Sequence, residues 1–190
     1  MARPRSDDKR NAILLAAAKV FAERGLGAAT SAISAAAAVA EGTLFIYFKT
    51  KDDLLNALYR EIKLELADAM MSGFPRKKSV HSKLQHIWNC YTRWGVSNPE
   101  QCRVLAQLQI SDRLTQESRD AGMAPFAEIE TMARDAIHQH LMRDIPLEFI
   151  SATMEASAQT TMRFMASDPN GADRYCAVGF DMFWRAIAKK

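Results

Sequence analysis

Apolar residues return every three or four positions through almost the whole chain, a period that leaves room for little besides helices. Ile13, Ala16, Ala17, Val20 and Phe21 make one such stripe over residues 7–24, with Lys9, Arg10, Lys19 and Glu23 elsewhere around the axis. Leu54, Leu55, Leu58, Ile62 and Leu66 make another. Thr50 opens that helix, with Asp53 three residues later as a capping box, and Gly73 and Pro75 end it. Eight Gly and six Pro in 190 residues is sparse, which also favours an all-helical chain.

Helix punctuation supplies the remaining elements. Gly25 stops the first helix, and Thr30 or Ser31 caps a short Ala-rich one over 31–38. Val39-Ala40-Glu41 is a tight link into another short helix over 41–48. Residues 79–95 put Val80, Leu84, Ile87, Trp88, Tyr91 and Trp94 on one stripe. Asn98, as a cap, and Pro99, in the first turn, open a helix that ends near Ile110. Residues 112–143 read as helix with a break near Gly122 and Pro125. Pro146 starts the next helix, which ends before Asp168-Pro169, and Asn170 with Asp173 caps the last, to about 188. The expectation is nine helices and no strand.

A chain of this length buries roughly 70% of its unfolded surface and needs no disulfide or metal to stay folded. Cys90, Cys102 and Cys176 are odd in number and widely spaced, so they read as free, mostly buried thiols. No run of about 18 apolar residues is present to span a membrane, and the charged start leads into no signal-type stretch. The expected location is the cytoplasm.

Charge is unevenly spread. Residues 1–51 hold eight Lys and Arg against four acids, a net +4, while the rest holds 17 bases and 18 acids. A basic first quarter on a near-neutral body fits a polyanion-binding head. Within it, residues 31–48 have helix-turn-helix character, whose second helix enters a DNA major groove. On that helix Leu44 and Phe48 pack inward, which leaves Thr43, Ile46 and Tyr47 for DNA. Gly42 lets backbone approach a phosphate, and Lys49 and Lys51 follow where phosphates would lie. Thr30 opens a helix that can hold a phosphate, and Arg3 and Arg5 sit in an arm placed to reach a minor groove.

The stretch Thr30 to Leu55, TSAISAAAAVAEGTLFIYFKTKDDLL, resembles the DNA-binding region of TetR-family regulators, and Phe21-Ala22-Glu23-Arg24-Gly25 fits the end of their first helix. Three positions depart from the pattern. Ala38 stands where the turn usually has Gly, Ala40 where Ser often caps the recognition helix, and Glu41 where Lys is common. The resemblance implies a three-helix DNA-binding head at 1–52, a ligand-binding and dimerisation domain at 53–190, and no enzyme activity. A narrower resemblance, to a multidrug-responsive repressor of that family, runs the full length. Tyr59 and Lys63 match it, whereas Met154 replaces an aromatic residue and Ser151 an acid around the pocket-lining eighth helix.

The body carries Met123, Met132, Met142, Met154, Met162 and Met165 near the aromatic stripe of Trp88, Tyr91 and Trp94, a composition suited to an adaptable apolar pocket. Glu155 is one of few charges between Phe149 and Phe164 and could neutralise a cationic ligand. The expected ligand set is Tyr59, Lys63, Trp88, Tyr91, Ser151, Met154 and Glu155. The last two helices are apolar on more than one face, which calls for a second copy. Thr161, Met162, Met165, Phe180, Phe183 and Trp184 are the expected dimer contacts.

Catalytic chemistry has no support. His138 and His140 point apart on a helix, and His81 and His86 lack acid partners at metal spacing. No cofactor or metal is expected. The chain reads as a homodimeric repressor that releases a pseudo-palindromic operator when a lipophilic small-molecule effector binds, with double-stranded DNA as its partner. The alternatives are a regulator of the same fold without ligand sensing, an activator, and a helical small-molecule-binding or catalytic protein that has lost its operator.

Overall fold

The computed structural model describes residues 3–189, with side chains from residue 7 onward. The described residues form ten α-helices and two 3-10 turns, with no strand: α1 Arg3–Arg24, α2 Thr30–Ala36, α3 Glu41–Tyr47, α4 Lys51–Met71, α5 Val80–Ser97, α6 Pro99–Gln109, α7 Gln116–Met123, α8 Ala127–His138, α9 Leu147–Ser167 and α10 Ala172–Ile187. Taking α7, the turn Ala124–Phe126 and α8 as one interrupted helix, the number is the nine expected. No single helix is long and apolar enough to cross a membrane.

The chain forms two compact units, residues up to 64 with 98–123, and 65–97 with 124 onward. In the first, α1 packs on α2 and α6, and α2 on α3. Ile13, Ala17 and Phe21 from α1 are fully buried, with Ile33, Leu44, Leu54, Leu55, Val104 and Leu108. Each large side chain in such a core contributes about 1.5–3 kcal/mol. α1 begins at Arg3, four residues before the apolar period starts.

In the second unit, α9 and α10 pack along each other and on α5. Trp88 is fully buried there, stacked on Phe183 at 5.7 Å, and its indole N–H donates to the Cys176 carbonyl at 3.0 Å. Gly179 permits the close helix approach, since a Cβ would lie 2.8 Å from Trp88 Cζ2. Cys176 is buried, Cys90 and Cys102 are half-buried, and none of the three is in a disulfide.

The helix starts follow the sequence unevenly. Thr50 and Asp53 form the reciprocal capping box, each backbone N–H donating to the other's side chain at 3.0 Å. Neither Thr30 nor Ser31 caps α2. Ala29 occupies that position and Thr30 is the first helical residue. The Asn98 side chain does not cap α6, its backbone being twisted to φ −127, ψ 58. Asn170 and Asp173 form no box, because the 3-10 turn Pro169–Gly171 precedes α10 and is capped by Asp168, which accepts from the Gly171 N–H at 3.1 Å.

The helix expected over 112–143 is shorter at both ends. Residues 112–115 stay irregular because the Asn56 side chain accepts from the Thr115 N–H at 2.9 Å and donates to the Arg113 carbonyl at 3.0 Å. At the other end His140 turns left-handed, with φ 57. The chain then runs beside the end of α10, where Arg143 N–H donates to the Ile187 carbonyl at 2.8 Å.

Candidate nucleic-acid interface

The turn between α2 and α3 is a Schellman motif built without glycine. Val39 N–H donates to the Ser34 carbonyl at 3.0 Å and Ala38 N–H to the Ala35 carbonyl at 3.2 Å. Ala38 takes the left-handed position, φ 53. This stops α2 two residues before the expected end and aims the chain into α3.

Leu44 and Phe48 anchor α3, both essentially buried. Glu41, Gly42, Phe45 and Ile46 face solvent, Ile46 at 79% exposure, and Thr43 and Tyr47 flank them half-buried. A Cβ on Gly42 would meet nothing within 4 Å, so packing does not require glycine there. Phe45, 41% exposed, shares this open face and was missed by sequence reasoning. Its spacing three residues from Gly42 was the signal.

The polar groups are less open than expected. Thr30 Oγ1 donates to Glu41 Oε1 at 2.8 Å on the exposed surface of the head, so its hydroxyl proton is already engaged. Lys51 lies over the Phe21 ring, 5.8 Å from its centre. Burial lowers its pKa, Arg113 lowers it further, and Asp52 opposes both. Lys49 is exposed. The side chains of Arg3 and Arg5 lie outside the described residues.

Residues 13–58 match the profile of bacterial regulatory proteins of the tetR family. An uncharacterised HTH-type transcriptional regulator of Bacillus subtilis, YhgD, is 30% identical over 155 residues, which cover 79% of this chain and 69% of that protein. The chain belongs to the TetR family. A tetR-family transcription regulator structure from Shewanella sp. PV-4 has a TM-score of 0.85 at 25% identity, over 96% of this chain and 99% of that one. LfrR from Mycobacterium smegmatis, solved with proflavine, has a TM-score of 0.67 at 19% identity, over 93% and 95% of the two chains, a likeness of fold.

This TetR-family regulator therefore carries a DNA-binding N-terminal domain and acts as a transcription regulator, not an enzyme. The residues expected at a ligand pocket come from both units. Tyr59 and Lys63 are buried in the first unit, and Trp88 and Tyr91 are buried in the second. Ser151 is exposed, and Met154 and Glu155 are half-buried.

The expected dimer contacts point inward. Thr161, Met162, Met165, Phe180 and Phe183 are at most 8% exposed and form the inner stripe of α9 and α10, with Trp184 half-buried beside them. A side chain closed within its own unit has little surface left for a partner. The large apolar residues that α9 and α10 expose are Phe149, Phe164, Val178 and Met182.

Proposed function

We propose that this TetR-family protein is a homodimeric repressor that releases a pseudo-palindromic operator when a lipophilic, cationic or amphiphilic molecule binds residues 53–190, in control of efflux or stress genes. The observation that carries the DNA half is the face of α3, where Gly42, Phe45 and Ile46 stand open above the Leu44 and Phe48 anchors. Thr43, Ile46 and Tyr47 reach base edges, Gly42 admits a phosphate, Thr30, Lys49 and Lys51 supply the backbone contacts, and Arg3 and Arg5 reach a minor groove. A two-fold dimer puts two such helices on successive groove faces. The exposed Phe149, Phe164, Val178 and Met182 are the side chains offered to the partner.

Ligand response rests on the Met- and aromatic-rich body, the resemblance to the multidrug-responsive repressor RamR, and a fold neighbour that holds proflavine. Tyr59 and Lys63, on α4, link effector binding to the head, which requires the ligand to prefer the form that does not bind DNA. A second reading, regulation without ligand sensing, is favoured by Trp88, whose indole is sealed and fully bonded within the core.

Titration of the promoter DNA flanking its own gene, with and without planar cationic dyes and bile-type amphiphiles, separates the two. Specific binding that a panel member releases supports the sensor. Specific binding that nothing in the panel releases supports the second reading, and no specific binding removes both.

A further inference from the structure

A cavity of about 790 Å³ opens in the second unit, between the chain leading into α5 and the length of α8. Its size falls in the range of small-molecule sites, roughly 300–1,000 Å³. None of the seven residues proposed above for effector binding lines it.

Its chemistry is two-sided. Phe74, Met132 and Ala136 are buried and supply an apolar floor, with Val80 and Leu141 beside them. Arg76 also lines it, but its guanidinium is spent on Glu128, with two contacts of 2.8 and 2.9 Å. That pair fixes one wall and leaves neither charge free.

Lys78 and Lys83 are different. Both line the cavity, and neither is within ion-pair distance of a carboxylate among the described residues. Lys83 is half-buried and Lys78 exposed, so the stem of Lys83 lies along the cavity wall and both ammonium groups stand without a counter-charge. Asp135 is the one lining acid left after the Arg76–Glu128 pair, so the unpaired groups sum to a net positive charge.

We propose that this cavity is a binding site for a small amphipathic anion, a carboxylate with an apolar body. The carboxylate takes charge-assisted hydrogen bonds from Lys78 and Lys83, and the apolar body lies on Phe74, Met132 and Ala136. The two unpaired ammonium groups decide the sign. A cation would be repelled by both, with Asp135 alone to offset them, and a neutral molecule would leave both without a counter-charge.

The test is calorimetric titration of the full-length protein with sodium dodecanoate, dodecyltrimethylammonium and dodecanol, which share a chain and differ in head charge. Dodecanoate is expected to bind, with the other two at least tenfold weaker. Lys78→Ala with Lys83→Ala is expected to weaken dodecanoate by about tenfold or more, the usual scale for lost charged hydrogen bonds. Ala127→Trp, at an exposed lining position where the fold is not at stake, is expected to block the cavity. Failure of dodecanoate to bind overturns the proposal. So does equal binding of the cationic probe that Ala127→Trp also blocks, or dodecanoate affinity indifferent to both the Lys and the Trp variants. The readout involves no DNA, so any of these results leaves the operator reading standing.

Discussion

Thr30 and Glu41, the first residues of α2 and α3, are joined by a 2.8 Å hydrogen bond from the Thr30 hydroxyl to the Glu41 carboxylate. The bond holds a negative charge at the start of the recognition helix, beside the start of α2 proposed for a phosphate, and engages the Thr30 hydroxyl. DNA approach therefore meets both a repulsive charge and a donor already engaged. Glu41→Lys is expected to tighten binding to non-specific duplex by roughly tenfold and to steepen the log–log salt dependence by about 0.9, one added phosphate contact. Anisotropy titrations at several salt concentrations measure both, and an unchanged slope removes Glu41 from the DNA face.

Ala38 sits at φ 53, where an L-residue with a Cβ is disfavoured by about 1–2 kcal/mol. Its position in the Schellman turn is imposed by the bonds from Val39 and Ala38 to Ser34 and Ala35. Ala38→Gly removes the Cβ strain but gives the unfolded chain more freedom, so a net gain of about 0.5–1 kcal/mol is expected. Urea unfolding with an unchanged slope checks it. A loss of stability would mean the turn relaxes in solution.

These two positions mark how far the fold could be read from residues alone. The stripes of α1, α4 and α5 and the Thr50–Asp53 box are legible because they depend on neighbours three or four residues away. The end of α2 was not, since an alanine in a left-handed turn carries no local signal. The irregular 112–115 segment was not, because its backbone partners come from Asn56, more than fifty residues away. On α3 the inward pair Leu44 and Phe48 was legible, but Phe45 was not separated from the core. On α9 and α10, apolar residues occupy both faces, so composition could not tell the inner Phe183 from the outer Met182. That choice depends on how the two helices rotate against α5.

Gly122 faces the Tyr59 ring so closely that a Cβ would overlap Cε1 and lie 3.1 Å from Cζ. Gly122→Ala is expected to cost about 1–3 kcal/mol, the scale of overpacking. In a Tyr59→Ala background the same change is expected to cost far less, since the obstructing ring is gone. A double-mutant cycle by chemical denaturation reads the coupling. Additive costs would show that the ring moves aside freely.

Burial raises the pKa of Cys90, and Arg93 pulls it partly back. The folded protein thus favours the neutral thiol. The stability this provides is complete below the unfolded thiol value of about 8.5 and is lost as pH rises through the higher folded value. Alkylation at Cys90 near pH 8.5 is expected to be several-fold slower than for a free thiol, with its rate still climbing at higher pH. Arg93→Ala is expected to slow it further. Mass spectrometry of the modified peptide follows the site, and a rate that levels off by pH 8.5 contradicts the shift.

Asn56 satisfies both halves of its amide. Nδ2 donates to the carbonyls of Asp52 at 2.8 Å and Arg113 at 3.0 Å, and Oδ1 accepts from the Thr115 N–H at 2.9 Å. The residue is only 6% exposed. Asn56→Ala strands these groups and is expected to cost about 2–3 kcal/mol. Asn56→Asp is the sharper probe, because it keeps the acceptor for Thr115 but turns an oxygen toward two carbonyls. The protonated acid can still donate one bond and the carboxylate can donate none, so the folded pKa must rise above the unfolded 3.9. The folded state then holds its proton longer than the unfolded state, and stability relative to wild type falls as pH climbs from 4 through the folded value. Urea unfolding at pH 5 and pH 8 is expected to find the larger deficit at pH 8. Equal deficits would mean that the segment around Arg113 rearranges to hydrate the carboxylate, and that the Asn56 bonds do not hold it in place.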